Sequence, residues 1–268
     1  MPEGHVIHRL ARDINTAFSG GTVHVRSPQG RFAAEAALLD GSELVAARAH
    51  GKHLFVEFDV PTPERYVYVH LGLIGSWRFE PPHEQWGQIR LQIANTTVAA
   101  NLRGPQFCRL LDADAVEGIV GKLGADPLLP FDPHTYAAVE AKVQRSRRSI
   151  GSLLMDQSLF PGVGNIYRAE TLFRLGISPF TPGFHVKLRP IWEDLVFLME
   201  EGMESGRIDT VRPEHTPEAM GRAPRKDDHG GEVYVYRRAG QPCYVCGTPI
   251  AMQVMEGRNL FWCPGCQE

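Results

Sequence analysis

The chain has 268 residues, 43% of them hydrophobic and 22% charged, with a formal net charge of −3. That composition is globular, with material for two domains and a small module, and no apolar run approaches the ~18 residues of a membrane span. A net acidic chain also lacks the domain-wide basic surface that most readily marks nucleic-acid binding.

The start, Met1-Pro2-Glu3-Gly4-His5, has neither the basic nor the apolar segment of a secretory signal, which points to a reducing cytoplasm. Over residues 5–18 the apolar side chains Val6, Ile7, Leu10, Ile14, Ala17 and Phe18 recur at helical spacing, and Gly20-Gly21 ends the run. From residue 22 to about 112 the period becomes two, as in 54–58, 66–70 and 88–93, with Gly and Pro turns between the runs. Many short strands with regular turns predict a β-sandwich or barrel. Residues 126–133, rich in proline, read as a linker.

Beyond it the pattern is helical. Ile150, Leu153, Leu154 and Met155 predict one short helix. Leu159-Phe160-Pro161-Gly162-Val163-Gly164 is a turn, and a helix follows from Asn165 with Ile166, Ala169, Leu172 and Phe173 inward. Residues 188–203 predict a further helix. Residues 205–232 lack periodicity, and a loop that long is usually mobile or functional. Positive charge gathers in Arg145, Arg147 and Arg148, in Arg222, Arg225 and Lys226, and in Arg237 and Arg238. Each cluster is either a solvated face or part of a local basic groove.

The final stretch reads Cys243-x2-Cys246-x16-Cys263-x2-Cys266. Two Cys-x2-Cys turns at this separation close a tetrahedral four-sulfur site with no open position, so the predicted zinc is structural. Two disulfides are the alternative, disfavoured without a secretory context. Cys108 stands apart as a buried free thiol. Between the pairs, Glu256-Gly257-Arg258-Asn259 forms a hairpin tip, where Arg258 is either a phosphate contact or a solvated charge.

Residues at the other end can carry chemistry. If Met1 is removed, Pro2 presents a secondary amine. An α-amino group titrates at roughly 7.7–8.0, well below lysine, and an adjoining helix N-terminus lowers it further. A neutral amine beside the Glu3 carboxyl suits Schiff-base formation at a sugar aldehyde carbon, with Glu3 protonating the departing oxygen. Taken alone, the same two residues also read as ordinary helix initiation. Likewise, the small-residue turn before Asn165 can hold a phosphate at a helix N-terminus, or be a plain αα-hairpin with Asn165 as its N-cap.

Several motifs occur in one order. They are Pro2-Glu3-Gly4; Gly51-Lys52-His53-Leu54, read as lying on a strand; His70-Leu71-Gly72 with Gly75-Ser76-Trp77-Arg78; Met155-Asp156-Gln157 with Gly162-Val163-Gly164-Asn165-Ile166-Tyr167; and Gly240-Gln241-Pro242-Cys243 with the cysteine quartet. Together they resemble the formamidopyrimidine-DNA glycosylase / endonuclease VIII family of base-excision repair enzymes. The resemblance implies an α+β, two-domain fold. An N-terminal β-sandwich with an N-terminal helix (1–125) precedes a helix–two-turn–helix domain (126–232) and a zinc β-hairpin finger (233–268). It implies a bifunctional DNA glycosylase and abasic-site lyase that flips the lesion base out of the duplex.

By the same resemblance Pro2 attacks the sugar C1′ and Glu3 is the proton donor that opens the sugar. Lys52 contacts phosphate and donates a proton in β-elimination. Arg258 grips phosphate and is assigned a proton in δ-elimination, although a guanidinium is a poor acid. Gly164 and Asn165 hold another phosphate, Lys122 is a basic DNA contact, and Leu73 and Ile74 wedge into the base stack. The expected partner is damaged DNA and the expected cofactor one structural Zn2+. No organic cofactor and no membrane are expected for this cytoplasmic, bacterial-type monomer.

Two departures bear on the substrate. Many relatives carry a second acid shortly after Glu3, where this chain has Val6. Purine-repairing relatives carry an Arg–Phe pair in the loop that here reads Asn101-Leu102-Arg103-Gly104-Pro105-Gln106-Phe107-Cys108, where Phe107 is present without an adjacent Arg. The first removes a possible carboxylate from the lesion pocket; the second, with the Pro2-Glu3-Gly4 start, favours the endonuclease VIII branch and oxidised pyrimidines over 8-oxoguanine. Two rivals stand beside this reading. One is a non-catalytic damage- or junction-binding protein of the same fold. The other is a zinc-ribbon module joined to an unrelated enzyme.

Overall fold

The computed structural model describes residues 2–83, 86–226 and 231–268. Met1, whose removal is part of the expected Pro2 chemistry, and residues 227–230 of the long loop lie outside the described residues. The chain divides into two compact units, Met1–Lys122 and Leu123–Glu268.

In the first unit, helix α1 (Gly4–Phe18) is followed by β1 (Gly21–Thr22), β2 (His24–Arg26), α2 (Ala33–Leu39), β3 (Glu43–His50), β4 (His53–Asp59) and β5 (Tyr66–His70). Then come β6 (Ser76–Glu80), β7 (Ile89–Ala94), β8 (Ala99–Arg103), β9 (Phe107–Leu111) and α3 (Ala113–Val120). The strands form a five-stranded sheet in the order β1-β3-β4-β5-β9 and a four-stranded sheet in the order β2-β7-β8-β6. Alternation assigns the faces: Leu54, Val56, Phe58, Val67 and Val69 enter one core with Leu91, Ile93, Ala100 and Leu102 of the other sheet. Ile7, Leu10 and Ile14 of α1 join that core. The expected sandwich and leading helix are both present. Helix α2 interrupts the stretch read as strands only, because its alanine-rich segment has no period-two pattern and buries just Ala36 and Leu39.

Helix α1 lies along β3. The Asn15 side chain donates to the Ala47 carbonyl (2.9 Å) and accepts from the Ala47 N–H (2.6 Å). Ser19 Oγ donates to the Val45 carbonyl at 2.7 Å. Later helix residues thus meet earlier strand residues, so the helix N-terminus runs toward His50 and the β3–β4 turn.

In the second unit, α4 (Pro133–Gln144), α5 (Ile150–Leu153), α6 (Asn165–Arg174), α7 (Leu188–Ser205) and the short α8 (Pro217–Met220) precede the hairpin β10 (Ala251–Met255) and β11 (Arg258–Trp262). Helix α4 starts at Pro133 behind Asp132, whose carboxylate accepts from the N–H groups of His134 and Thr135. Residues 126–133 are not all an open linker: Asp126 is buried and accepts from the Leu128 N–H. One core joins Ile166, Leu172, Ile191 and Leu195 of the helices to Tyr236, Ile250, Phe261 and Cys263 at the end of the chain. Among the described residues no helix is long and apolar enough to cross a membrane.

Candidate active site and zinc centre

Pro2 lies outside α1, and Glu3 is its N-cap in extended conformation. The Glu3 side chain makes no capping hydrogen bond to the helix, yet it is fully buried (0% exposed). Helix initiation alone explains neither fact, since a capping carboxylate should bond the first turn and stay wet. The positive end of α1 sits at these residues and favours a neutral amine.

The helix runs toward the turn that holds Lys52. That residue is not on a strand: β3 and β4 pair through His50 and His53, leaving Gly51 and Lys52 as a two-residue turn. Such a turn needs a positive φ, which Gly51 supplies at +57°. Three histidines surround it. His53 donates to or accepts from Tyr68 Oη at 3.0 Å and lies edge-on to His70 at 5.2 Å. Burial, then the neighbouring His70, His50 and Lys52, brings the His53 imidazole down to about 4. Burial and Lys52 also lower His70, against a Gln106 hydrogen bond that raises it.

At the far end of β5, the turn at residues 72–75 carries Leu73 and Ile74, which are 62% and 87% exposed. Two adjacent apolar side chains projecting from a tight turn are costly in water and suit insertion between bases. Gln106 and Phe107 lie beside them: the Gln106 N–H donates to the His70 carbonyl at 2.9 Å. Lys122 is exposed at the last residue of this unit.

In the second unit, Gln157 knots the loop between α5 and α6. Its amide donates to the carbonyls of Met155 (3.1 Å) and Val163 (3.0 Å) and accepts from the Gly162 N–H (3.1 Å). Gly162 takes φ +89°, and Gly164 is the N-cap of α6. Asn165 is therefore the first helical residue and not the cap. Its side chain is buried, with Nδ2 donating to the Asn259 carbonyl at 2.8 Å and Oδ1 accepting from Arg168. The hairpin tip with Arg258 is thereby tied to the positive end of α6. The basic clusters behave differently. Arg238 is buried, with its guanidinium 3.5 Å from the centre of the Tyr244 ring, and Arg222 lies 4.1 Å from the same ring while pairing with Glu232 at 2.7 Å. These two guanidiniums are packed on Tyr244 as internal struts.

The hairpin places Cys243, Cys246, Cys263 and Cys266 with all four sulfurs within 4.8 Å of one another. The Cys243–Cys266 and Cys246–Cys263 separations are 3.9 and 3.4 Å. A disulfide needs ~2.05 Å, whereas tetrahedral zinc–thiolate bonds of ~2.3 Å put sulfurs roughly 3.8 Å apart. The donor set fits zinc, and with four protein ligands the ion is structural.

The roles of Gln157, His70 and Gln106 were not legible in the sequence, although His70 and Gln157 fall inside recognised motifs. Their signal is a polar side chain beside a glycine with positive φ, and it needs coordinates to be read.

Three family models cover most of the chain. Residues 1–106 match the formamidopyrimidine-DNA glycosylase N-terminal domain, 123–212 its H2TH domain, and 240–268 a zinc finger found in FPG and IleRS. The chain is 45% identical to endonuclease 8 1 of Mycobacterium tuberculosis over 279 aligned residues, covering 100% of both chains. It is 30% identical to the formamidopyrimidine-DNA glycosylase of Nostoc punctiforme, covering 100% of this chain and 95% of that one. Among solved structures, the MutM (Fpg) protein of Thermus thermophilus matches with TM-score 0.73 and 26% identity over 99% of this chain and 98% of that chain. A Lactococcus lactis Fpg bound to abasic-site DNA matches with TM-score 0.77 at 20% identity over 99% of each, a likeness of fold alone.

Proposed function

The chain belongs to the formamidopyrimidine-DNA glycosylase / endonuclease VIII family of base-excision repair glycosylases, and on that premise we propose that it is bifunctional, excising an oxidised base from DNA and then cleaving the strand at the abasic sugar. The observation that carries this is the buried, non-capping Glu3 carboxylate beside Pro2, on a helix that runs toward Lys52.

With Met1 removed, the Pro2 nitrogen attacks C1′ of the flipped nucleotide. The N–C1′ bond forms, the glycosidic bond breaks, and the base leaves with a proton. Glu3 then protonates O4′ as the ring opens, which leaves an iminium on Pro2. The iminium acidifies the C2′ hydrogen. Its loss expels the 3′ phosphate in β-elimination, where Lys52 serves as phosphate contact and proton donor. A second elimination expels the 5′ phosphate, and water releases the enzyme. Arg258, Asn165 and the α6 N-terminus hold the flanking phosphates, with the zinc fixing the hairpin that presents Arg258. Lys122 is a further backbone contact.

Oxidised pyrimidines are the preferred lesions. Val6 removes an acid from the lesion pocket, the Gly104-Pro105-Gln106-Phe107 turn lacks an Arg–Phe pair, and endonuclease 8 1 is the 45% identical relative. The protein acts as a monomer without an organic cofactor.

Borohydride trapping on an abasic-site duplex, with intact mass recorded on the same sample, tests the mechanism. A covalent adduct on protein lacking Met1 is expected. Pro2→Gly should lower trapping about tenfold or more, and Glu3→Gln should lower base excision about 100-fold. Undiminished trapping by Pro2→Gly would sink the Pro2 nucleophile. No adduct from zinc-loaded protein without Met1 would identify a binding protein.

A further inference from the structure

The end of the sandwich that carries the Lys52 turn also carries a tryptophan. At this end β4 starts and β5 finishes, at His53 and His70. Here too β8 finishes at Arg103, paired with Ser76 and Ile89, and β9 starts at Phe107 opposite His70. The N-terminus of α1 runs toward the same end. Trp86 stands just before β7, in the loop from β6, and is 51% exposed. Despite that exposure it is held firmly. Its Nε1–H donates to Glu80 Oε1 at 2.9 Å, and its carbonyl accepts from Arg103 Nε at 3.1 Å. The Arg103 guanidinium lies 3.9 Å from the centre of the indole, and Glu80 grips it through two bonds of 3.1 and 2.8 Å. Gly87 follows with φ +66°, which lets the chain turn back into β7.

Cross-strand pairing puts Arg78, Asn101 and Arg103 on one face of the four-stranded sheet, opposite the core face of Trp77 and Leu102. Arg78 reaches the indole from that face as well, 5.7 Å from the ring centre. The ring therefore rests on the sheet through guanidinium groups, and half of the residue stays in solvent. A tryptophan that served only as a lid over the Glu80–Arg103 pair would bury its ring. With cations already on the inner side, the open side suits a neutral, flat π system better than a further cation. Beside a site where a nucleotide leaves the duplex, that system is a base that has lost its stacking neighbour.

We propose that Trp86 is a nucleobase-binding residue, whose Arg103-backed indole stacks on a base left unstacked when the lesion nucleotide turns out of the helix. This rests on the reading of Pro2, Glu3 and Lys52 as a glycosylase site at this end of the sandwich. The ring is fixed before DNA arrives, so stacking costs little further side-chain entropy. The contact also needs no charge. A net acidic protein thereby gains affinity for opened DNA without added cations, and gains it only where the stack is broken.

The test compares a duplex carrying a non-reactive abasic analogue with the same duplex intact. Trp86→Ala should weaken binding to the analogue duplex about tenfold, the loss of one base–aromatic stack, and binding to the intact duplex by less than about twofold. Trp86→Phe keeps a ring and should stay within about threefold of wild type. The factor lost in Trp86→Ala should be the same at every salt concentration, because stacking releases no counterions. Tryptophan emission should be quenched when wild type binds the analogue duplex, and Trp86→Phe should lose part of that quench, which reads the contact independently of affinity. With 2-aminopurine placed opposite the analogue or beside it, emission should be lower with wild type than with Trp86→Ala at one of the two positions, which identifies the stacked base. An equal loss on both duplexes would overturn the proposal and reduce Trp86 to a strap over Glu80. A changed salt slope would overturn it in favour of a phosphate contact. So would full affinity in Trp86→Ala with an undiminished quench in Trp86→Phe. Absence of a borohydride adduct with wild type would instead overturn the glycosylase reading beneath it.

Discussion

Glu170 shows what holds a charge inside a protein. It is fully buried on α6, and its carboxylate accepts from the N–H groups of Tyr234, Val235 and Tyr236 at 2.7–2.9 Å and from Thr210 Oγ1 at 2.5 Å. Four donors replace the lost water, so the segment leading into the zinc hairpin is pinned to the helix at one point. Glu170→Ala would strand three buried N–H groups at about 1–3 kcal/mol each. Partial relaxation leaves an expected loss of about 3–5 kcal/mol, measured by denaturant unfolding. A loss under ~1 kcal/mol would mean that water takes over the site. Histidines in the first unit present the opposite case. Burial lowers His5 to about 3, and burial with nearby positive groups lowers His53 to about 4. Both stay neutral when folded but bind a proton below about 6.5 when unfolded. The unfolded chain therefore binds more protons in that window, and stability declines as pH falls from 6.5 toward 4. Calorimetry of the protein from pH 7 to 4.5 should show a falling Tm, and His53→Gln should flatten the slope. An unchanged slope would clear His53 of the effect.

The zinc hairpin ties element to element. Its two-residue turn, Glu256-Gly257, has φ of +52° and +67°, as a type I′ turn demands. Glutamate tolerates that conformation poorly, and its pairing with Arg148 is long at 3.6 Å and exposed, worth little. Glu256→Asn should therefore raise stability by about 0.5–1 kcal/mol, seen as slower hydrogen exchange along β10 and β11. A faster exchange would show that the Arg148 contact outweighs turn strain. The strands and the cysteine spacing were legible because periodicity and ligand spacing are local. Runs 54–58 and 66–70 fall within β4 and β5 for that reason. What stayed hidden was set by tertiary partners. The apolar stripe of α6 is visible in Ile166, Ala169, Leu172 and Phe173, but its polar face is buried too: Arg168 bonds Asn165 within the helix, and Glu170 meets partners far away in the chain. No local pattern announces a satisfied buried charge. Likewise, Asn165 reads as a cap until Asn259, far away in sequence, is seen to take its amide. Within the candidate site, motif order pointed to Pro2, Glu3 and the four cysteines, whereas the Lys52 turn and the His70–Gln106 bridge needed the register of the sheet.

For the whole molecule, a net charge of −3 must be reconciled with a polyanionic substrate. Two of the conspicuous arginines, Arg222 and Arg238, are spent inside the second unit around Tyr244. On the proposed reading, affinity rests on Lys52, Lys122, Arg258 and the N-terminus of α6. Counterion release makes this measurable. If Lys52, Lys122 and Arg258 each neutralise one phosphate, the plot of log affinity against log salt should have a slope of roughly −3, at about −0.9 per contact, far shallower than for a strongly basic DNA-binding protein. Arg258→Ala should remove about one unit of slope and weaken binding on every sequence alike. Chelation of the zinc should cost at least as much, because Cys243, Cys263 and Phe261 share their core with α6 and α7. Losing the ion then loosens the helices that carry the proposed phosphate site at Asn165, and not just the hairpin. A chelated protein whose salt slope and helical content match those of the zinc-loaded form would show that the shared core holds without its metal. A slope that survives Arg258→Ala unchanged would take this residue off the phosphate backbone and return it to the solvated surface.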